Sequence, residues 1–373
     1  MDRFSVRYRI EAADETEARA RALDMALEQT LEIPRDVVPK GYVEDVMLGR
    51  LEELAEADGD RGAYFADISY SDDDIGGDFL QLLNVVFGNS SIKPGIKALS
   101  MTLSDGIAAI CPGPRFGAGG LRRQAGVEAG PLIMSAIKPV GLATRELARL
   151  AHDFALGGMH YVKDDHGLAS QSTSPFAERL KACIDAVGEA NAKTGGQCLF
   201  VPNITAAGGC TYGNAMEAKE AGAGAVMLAP ALAGMDIAYQ LSRDPAFGLP
   251  VITHPAFGGA NVVGGHCGFS HALYYGQISR LMGADAVVFP NFGGRFGFTK
   301  EECLSIARAG LDPFGALGRT LPAPGGGMSI DKVNEMKSVY GDDIMYLVGG
   351  ALLKAPEGVV EATRRLVEKT RGD

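Results

Sequence analysis

From residue 131 onward the chain repeats one pattern, a short apolar run followed by an amphipathic helical segment. PLIMSAI (131–137) leads into TRELARLAHDFALGG, YVK (161–163) into PFAERLKACIDAVGEANAKTG, and CLFVPNI (198–204) into NAMEAKEAGA. AVMLAP precedes MDIAYQLSR, PVITH precedes SHALYYGQISRLMG, and ADAVVFP precedes TKEECLSIARAG. TLPAP with DKVNEMKSVYG, then IMYLVGG with GVVEATRRLVEKT, complete eight strand–helix units. Strands joined through helices run parallel, and eight such units in roughly 240 residues match a closed (β/α)8 barrel. A doubly wound open sheet is the alternative, but the series shows no point at which strand order would reverse, which favours closure.

The residues before this series read as a separate unit. FSVRYRIE alternates as a strand, and ADETEARARALDMALEQTLEI is a helix with acidic residues in its first turn, where they suit the helix dipole. AYFADISYS is a second alternating run, DFLQLLNVVFG a short apolar helix, and IKALSMTLSD a third strand. A mixed sheet with helices on one face packs such elements. The stretch CPGPRFGAGGLRRQAGVEAG, rich in Pro, Gly and Arg, reads as a link. The predicted fold is therefore α/β: a small N-terminal α+β (ferredoxin-like) domain over residues 1–125 and a C-terminal (β/α)8 TIM barrel over 126–373.

Composition narrows the function classes. A net charge of −11 argues against nucleic acid, which selects a basic face. No apolar run reaches membrane-spanning length, and MDRFSVRYRIEAADE lacks a signal-peptide pattern. The six cysteines (111, 183, 198, 210, 267, 303) lack the paired spacing of a zinc site or a disulfide framework. A cytoplasmic protein with reduced thiols is expected, with a small molecule as its partner.

In a barrel of this kind the C-terminal ends of the strands and the loops after them form the active face. Lys138 ends strand one, Lys163, Asp165 and His166 end strand two, Asn203 ends strand three and His254 ends strand five. Arg295 lies in the loop after strand six. Gly325, Gly326 and Gly327 follow strand seven, and Gly349 and Gly350 follow strand eight, where bare N–H groups can cradle a phosphate. Asp164 should point away from Asp165 if the pleat persists. A barrel enzyme acting on a phosphorylated small molecule is the reading these positions support.

At these residues the chain resembles the RuBisCO superfamily over nearly its whole length. AIKPVGL is similar to that family's strand-one lysine that handles the substrate proton, which would make Lys138 the base. GGMHYVKDDHGL resembles its metal-binding run, in which the lysine is carbamylated by CO2 and two acidic residues complete a Mg2+ site. The resemblance implies Lys163 as the carbamate, with Asp165 and the position of His166 as further ligands. It implies a role near the substrate hydroxyls for His254, phosphate-binding backbone at Gly326, Gly327, Gly349 and Gly350, and a homodimer whose sites are shared between subunits. Lysine serves as a base only where desolvation or a neighbouring cation favours its neutral form. Imidazole at His166 suits Mn2+, Zn2+ or Ni2+ better than Mg2+, so another divalent metal is an alternative.

The departures from the carboxylases point to a branch. His166 stands where they carry Glu, Pro255 where an arginine grips a second phosphate, and GGRFGF has no lysine, although Arg295 offers charge. Val85 replaces an asparagine before Val-Phe-Gly, with Asn84 one place earlier. The chain thus resembles the RuBisCO-like proteins, which keep enolisation and drop CO2 fixation. His166 after KDD and the short N-terminal domain resemble the branch that includes a 5-methylthioribulose 1-phosphate isomerase of sulfur salvage. The alternatives are a 2,3-diketo-5-methylthiopentyl-1-phosphate enolase, a sugar-acid phosphate decarboxylase, or a non-catalytic sugar-phosphate sensor.

Overall fold

The computed structural model describes residues 2–57 and 59–372, and the chain divides into two compact units. The smaller gathers residues 1–112, 258–278 and 312–317. In it β1 (Arg3–Glu11), helix Glu15–Glu28, β2 (Arg50–Glu56), β3 (Ala63–Ser71), helix Phe79–Phe87 and β4 (Ile96–Met101) follow a β-α-β-β-α-β order. The sheet runs β4-β1-β3-β2, and a two-residue strand, Gly268–Phe269, adds itself parallel to β4. Strand β1 forms because every second residue is apolar: Phe4, Val6, Tyr8 and Ile10 are all buried. The helix after it starts where the Asp14 carboxylate accepts from the Glu17 N–H (2.9 Å), and it buries Ala18, Ala22, Met25 and Ala26.

The larger unit is the expected barrel. Its strands are β5 (Leu132–Ile137), β6 (Tyr161–Asp164), β7 (Leu199–Val201), β8 (Val226–Leu228), β9 (Val251–Thr253), β10 (Ala286–Pro290), β11 (Leu321–Gly325) and β12 (Met345–Leu347). All ladders between them are parallel. The ring closes between β7 and β8: Met227 N–H donates to Pro202 O and Ile204 N–H to Met227 O, each at 2.9 Å. One cluster fills the interior, with Leu132 and Met134 from β5, Tyr161 from β6, Val201 from β7, Ile252 from β9 and Met345 from β12 among its members.

The stretch that reads as a link holds a helix instead, Gly117–Gln124. Its Ala118 and Leu121 join the barrel cluster, and the buried Tyr161 hydroxyl donates to Leu121 O at 2.8 Å. Asp285, 1% exposed, caps this helix: its Oδ1 accepts from Phe116 N–H (2.6 Å) and Gly117 N–H (2.7 Å), and its Oδ2 from Val251 N–H (2.9 Å). Asp285→Ala would leave three N–H groups unpaired, two of them buried, and is expected to cost about 3 kcal/mol in denaturant unfolding. Burial pushes the Asp285 carboxyl up to about 6, although the three N–H groups pull it back. The folded chain therefore keeps a proton that the unfolded chain sheds nearer pH 4, so this group's contribution to stability declines as pH rises from about 4 to about 6. Asp285→Ala should remove that slope.

Among the described residues no helix is long and apolar enough to cross a membrane.

Candidate functional site

The pleat decides which side chains reach the barrel mouth. Side chains alternate along a strand, so the inward set continues by steps of two from the buried cluster. From Met134 the steps lead to Ala136 and Lys138, from Tyr161 to Lys163 and Asp165, and from Val201 to Asn203. From Ile252 they lead to His254, and from Met345 to Leu347 and Gly349. Five polar residues and a glycine of the expected set thus share the parity of the core, and Asp164 has the opposite one.

Along the rim runs a continuous chain of contacts. The Lys138 ammonium lies 3.9 Å from Asp165 Oδ2. Asp165 Oδ1 lies 3.4 Å from His166 Nδ1 and accepts from Gly167 N–H at 3.1 Å. The His166 ring stacks on that of His254, with centroids 4.3 Å apart and planes within 16°. A Cβ on Gly349 would lie 3.3 Å from Lys138 Nζ, so the amine rests against that glycine's backbone.

Burial sets the protonation states. Lys163 is 2% exposed and donates to Asp164 O at 2.9 Å. Loss of water pushes it down to about 8, with the Lys138 charge adding to the effect while Asp165 and Asp164 oppose it. A lysine in that state has an appreciable neutral fraction near pH 7 to 8, and the neutral amine is the form that adds CO2. His254 is pushed down to about 2 by burial, then by Lys163 and His166, so it is neutral imidazole at working pH. Its Nδ1 accepts from Ala256 N–H at 3.2 Å, which places the ring hydrogen on Nε2. His166 is also lowered, by burial first, with Lys163, Lys138 and Arg295 contributing.

Two glycine-rich loops meet beside these groups. A Cβ on Gly294 would lie 1.9 Å from Gly326 O, and one on Gly327 would lie 2.5 Å from Gly294 Cα. Only bare backbone permits that approach, and Gly326 and Gly327 also hold φ of +77° and +101°. Phe296 lies over Gly326, and the Arg295 guanidinium sits 4.9 Å from the Phe296 ring centroid. Arg295 therefore reaches the site electrostatically, through His166, and is tied to the glycine turn through Phe296. For Gly350 no such contact is found.

Beneath the rim lies a layer that sequence reasoning missed. Arg179, fully buried in the first turn of helix Phe176–Thr194, donates from Nε to both oxygens of Asp164 at 3.1 and 3.2 Å. Its remaining nitrogens donate to Ser174 O and Ala169 O, both at 2.7 Å. Asn203 is committed here too: its Nδ2 donates to His166 O and Leu168 O at 3.0 Å, and its N–H to Asp164 Oδ2 at 3.1 Å. The signal for Arg179 was faint, an arginine in a helix otherwise read as amphipathic. The outward parity of Asp164 was the clue that a buried cation had to meet it.

As a cation site, the rim offers Asp165 and His166, whose donor atoms face each other. Among the described residues no group of three or more His, Cys, Asp or Glu gathers to hold a metal ion. A carbamate on Lys163 would add the missing anionic oxygens from the next inward position of β6, and with it the donor set suits a divalent cation.

Residues 119–302 match the family described as ribulose bisphosphate carboxylase large chain, catalytic domain. Over all 373 residues the chain is 37% identical to the 5-methylthioribulose-1-phosphate isomerase of Rhodospirillum rubrum, of which it covers 97%. It is 33% identical over 321 residues to the 2,3-diketo-5-methylthiopentyl-1-phosphate enolase of Geobacillus thermodenitrificans, covering 83% of this chain and 77% of that one. The solved Rubisco-like protein from Rhodopseudomonas palustris superposes with a TM-score of 0.86 at 38% identity, over 100% of this chain and 98% of that one.

Proposed function

Because the chain belongs to the RuBisCO family, as a RuBisCO-like protein, we propose that it isomerises 5-methylthioribulose 1-phosphate, moving the ketone along the carbon chain through enediolates. The observation that carries this reading is the unbroken run of contacts from Lys138 through Asp165 and His166 to His254 on the barrel's C-terminal rim. Full-length similarity to the Rhodospirillum rubrum isomerase supports this choice of substrate.

Each role follows from chemistry on the rim. Lys138, held against Gly349 and beside Asp165, removes the proton from the carbon next to the carbonyl. His254 is neutral with its hydrogen on Nε2, so it serves as a hydrogen-bond donor to a substrate oxygen, where charge develops on enolisation. That leaves Lys138 itself, or His166, to return the proton to the neighbouring carbon. Moving the ketone by two carbons takes two such cycles, and a flexible four-carbon lysine stem can serve adjacent carbons. Gly326 and Gly327, with Gly349 and Gly350, receive the single phosphate through backbone N–H groups, and Arg295 contributes charge. Lys163 as a carbamate, Asp165 and His166 would hold Mg2+ or another divalent ion, which when bound polarises the carbonyl and adjacent hydroxyl oxygens. The active form is proposed to be a homodimer with sites shared between subunits.

The test is 13C NMR of the labelled ketose phosphate in D2O with purified protein and Mg2+. Migration of the carbonyl resonance with deuterium entering the product is expected; an unchanged carbonyl position sinks the reading. The second reading, enolisation of 2,3-diketo-5-methylthiopentyl 1-phosphate, is favoured by the Geobacillus thermodenitrificans relative. It predicts turnover of the diketone and none of the ketose.

The protein is expected not to carboxylate ribulose 1,5-bisphosphate. Pro255 offers no cation for a second phosphate, and the loop GGRFGF carries Arg295, whose rigid fork does not replace a lysine's point charge. Labelled bicarbonate incorporated into phosphoglycerate at enzymic rates would overturn this.

A further inference from the structure

We propose that Arg179 is a positioning residue for the cation site: acting through Asp164 and Asn203, it holds the Asp165–His166 segment in the geometry that binds metal. The inference rests on the metal-site reading above.

Asp165 and His166 stand beyond the last ladder pair of β6, Ile137 with Asp164, at the start of a loop. Loop segments are mobile unless tied down, whereas a ligand set must be held to about half an ångström. Asp165's backbone keeps one long rung to β5, its N–H donating to Ile137 O at 3.3 Å. Among the described residues its carboxylate accepts only from Gly167 N–H, a bond local to the loop, and nothing of β5 holds His166. The further restraint comes from beneath. Arg179 grips Asp164, which immediately precedes the ligands, and reaches Ala169 O and Ser174 O farther along. Asn203 fastens the carbonyls of His166 and Leu168, and its own N–H is anchored on Asp164. Four loop carbonyls and the strand end are thereby tied to one guanidinium and one amide, both buried.

Stability alone does not account for this arrangement. A buried ion pair bears a large desolvation cost, and well-packed apolar residues in its place are often as stable or more so. What apolar residues cannot do is direct five N–H vectors at chosen oxygens. Asp164 cannot reach the mouth from its outward position, so its contribution to the site is through the backbone it shares with Asp165.

The experiment measures Mn2+ binding by electron paramagnetic resonance and calorimetry in bicarbonate-containing buffer, with carbamate formation followed by 13C NMR. Wild type, Arg179→Lys and Asn203→Ala are compared, each first checked for a cooperative melt. Arg179→Lys keeps the charge and loses the fork; Asn203→Ala removes the carbonyl ties without stranding a charge. Both are expected to weaken Mn2+ binding, Arg179→Lys by about 10- to 100-fold and Asn203→Ala by about 10-fold. Wild-type affinity in either folded variant overturns the inference, and if Arg179→Lys fails to fold, Asn203→Ala decides alone. Wild-type protein that takes up no Mn2+ overturns the metal-site reading, and the inference with it.

Discussion

Lys138→Ala is expected to slow carbonyl migration by about 10²- to 10⁴-fold while leaving the barrel folded, the range usual for removal of a positioned general base. The side chain is one-third exposed, and its amine packs on the bare backbone of Gly349 rather than in the core, so little stability should go with it. The loss should fall on kcat far more than on KM, because phosphate and oxygen contacts stay in place. Lys138→Arg is the control: it keeps a cation near Asp165 but cannot act as a base near neutral pH. Equal inactivity of the two variants, with Mn2+ binding intact, identifies proton transfer as the missing step. Wild-type rates in Lys138→Ala would remove the residue from the mechanism.

Lys163→Ala is expected to abolish activity for a different reason and should be distinguishable on that ground. Its neutral amine is the proposed point of CO2 capture, and without it Asp165 and His166 are left as two donors of unlike charge. Metal affinity should fall by more than about 100-fold, and added Mg2+ should not restore turnover. Chelation of the wild type should cause a matching loss that Mg2+ with bicarbonate reverses. Because the amine is buried and pushed down to about 8 by desolvation, replacing it removes a group the interior tolerates poorly. The variant's melting temperature should therefore change little. Full activity in Lys163→Ala, or in chelated wild type, would show that the rim works without a cation.

The barrel was legible because its strands are short apolar runs punctuated by helices of the right period, from 131–137 to 344–350, and each appears where periodicity places it. The edges of the smaller unit were less so. Strand β2 has the sequence RLEELAE, made of strong helix formers, and is a strand because it pairs with β3 at the sheet edge with most of its side chains in water. The pair Gly268–Phe269 sits inside a glycine-rich loop and joins β4 through a partner about 170 residues away in sequence, which no local pattern can signal. The helix Gly117–Gln124 was hidden by three glycines; it holds because Asp285 caps it and Leu121 enters the barrel core.

Within the candidate site, strand ends located Lys138, Lys163, Asp165 and His254, because parity and position in this fold leave few other addresses. Asn203 was also located, but its amide serves the loop carbonyls. What periodicity could not supply was partnership. That Arg179 would run beneath Asp164, or that His166 would stack on His254, depends on how loops from different strands converge.

The opposed faces of β6 carry a further consequence for how such a chain can change. Lys163 and Asp165 share the inward parity of Tyr161 in the barrel core, while Asp164, of opposite parity, meets Arg179. Gaining one residue between 157 and 162 would exchange them. Asp164 would enter the cavity and Lys163 would confront Arg179, two cations in a dry wall. The strand thus has a reading frame in space as strict as that of its gene. Variation is free only past the last rung of the ladder, where His166, Pro255 and Arg295 stand, so new chemistry can be written there by single replacements, whereas a slip of the strand would erase the site.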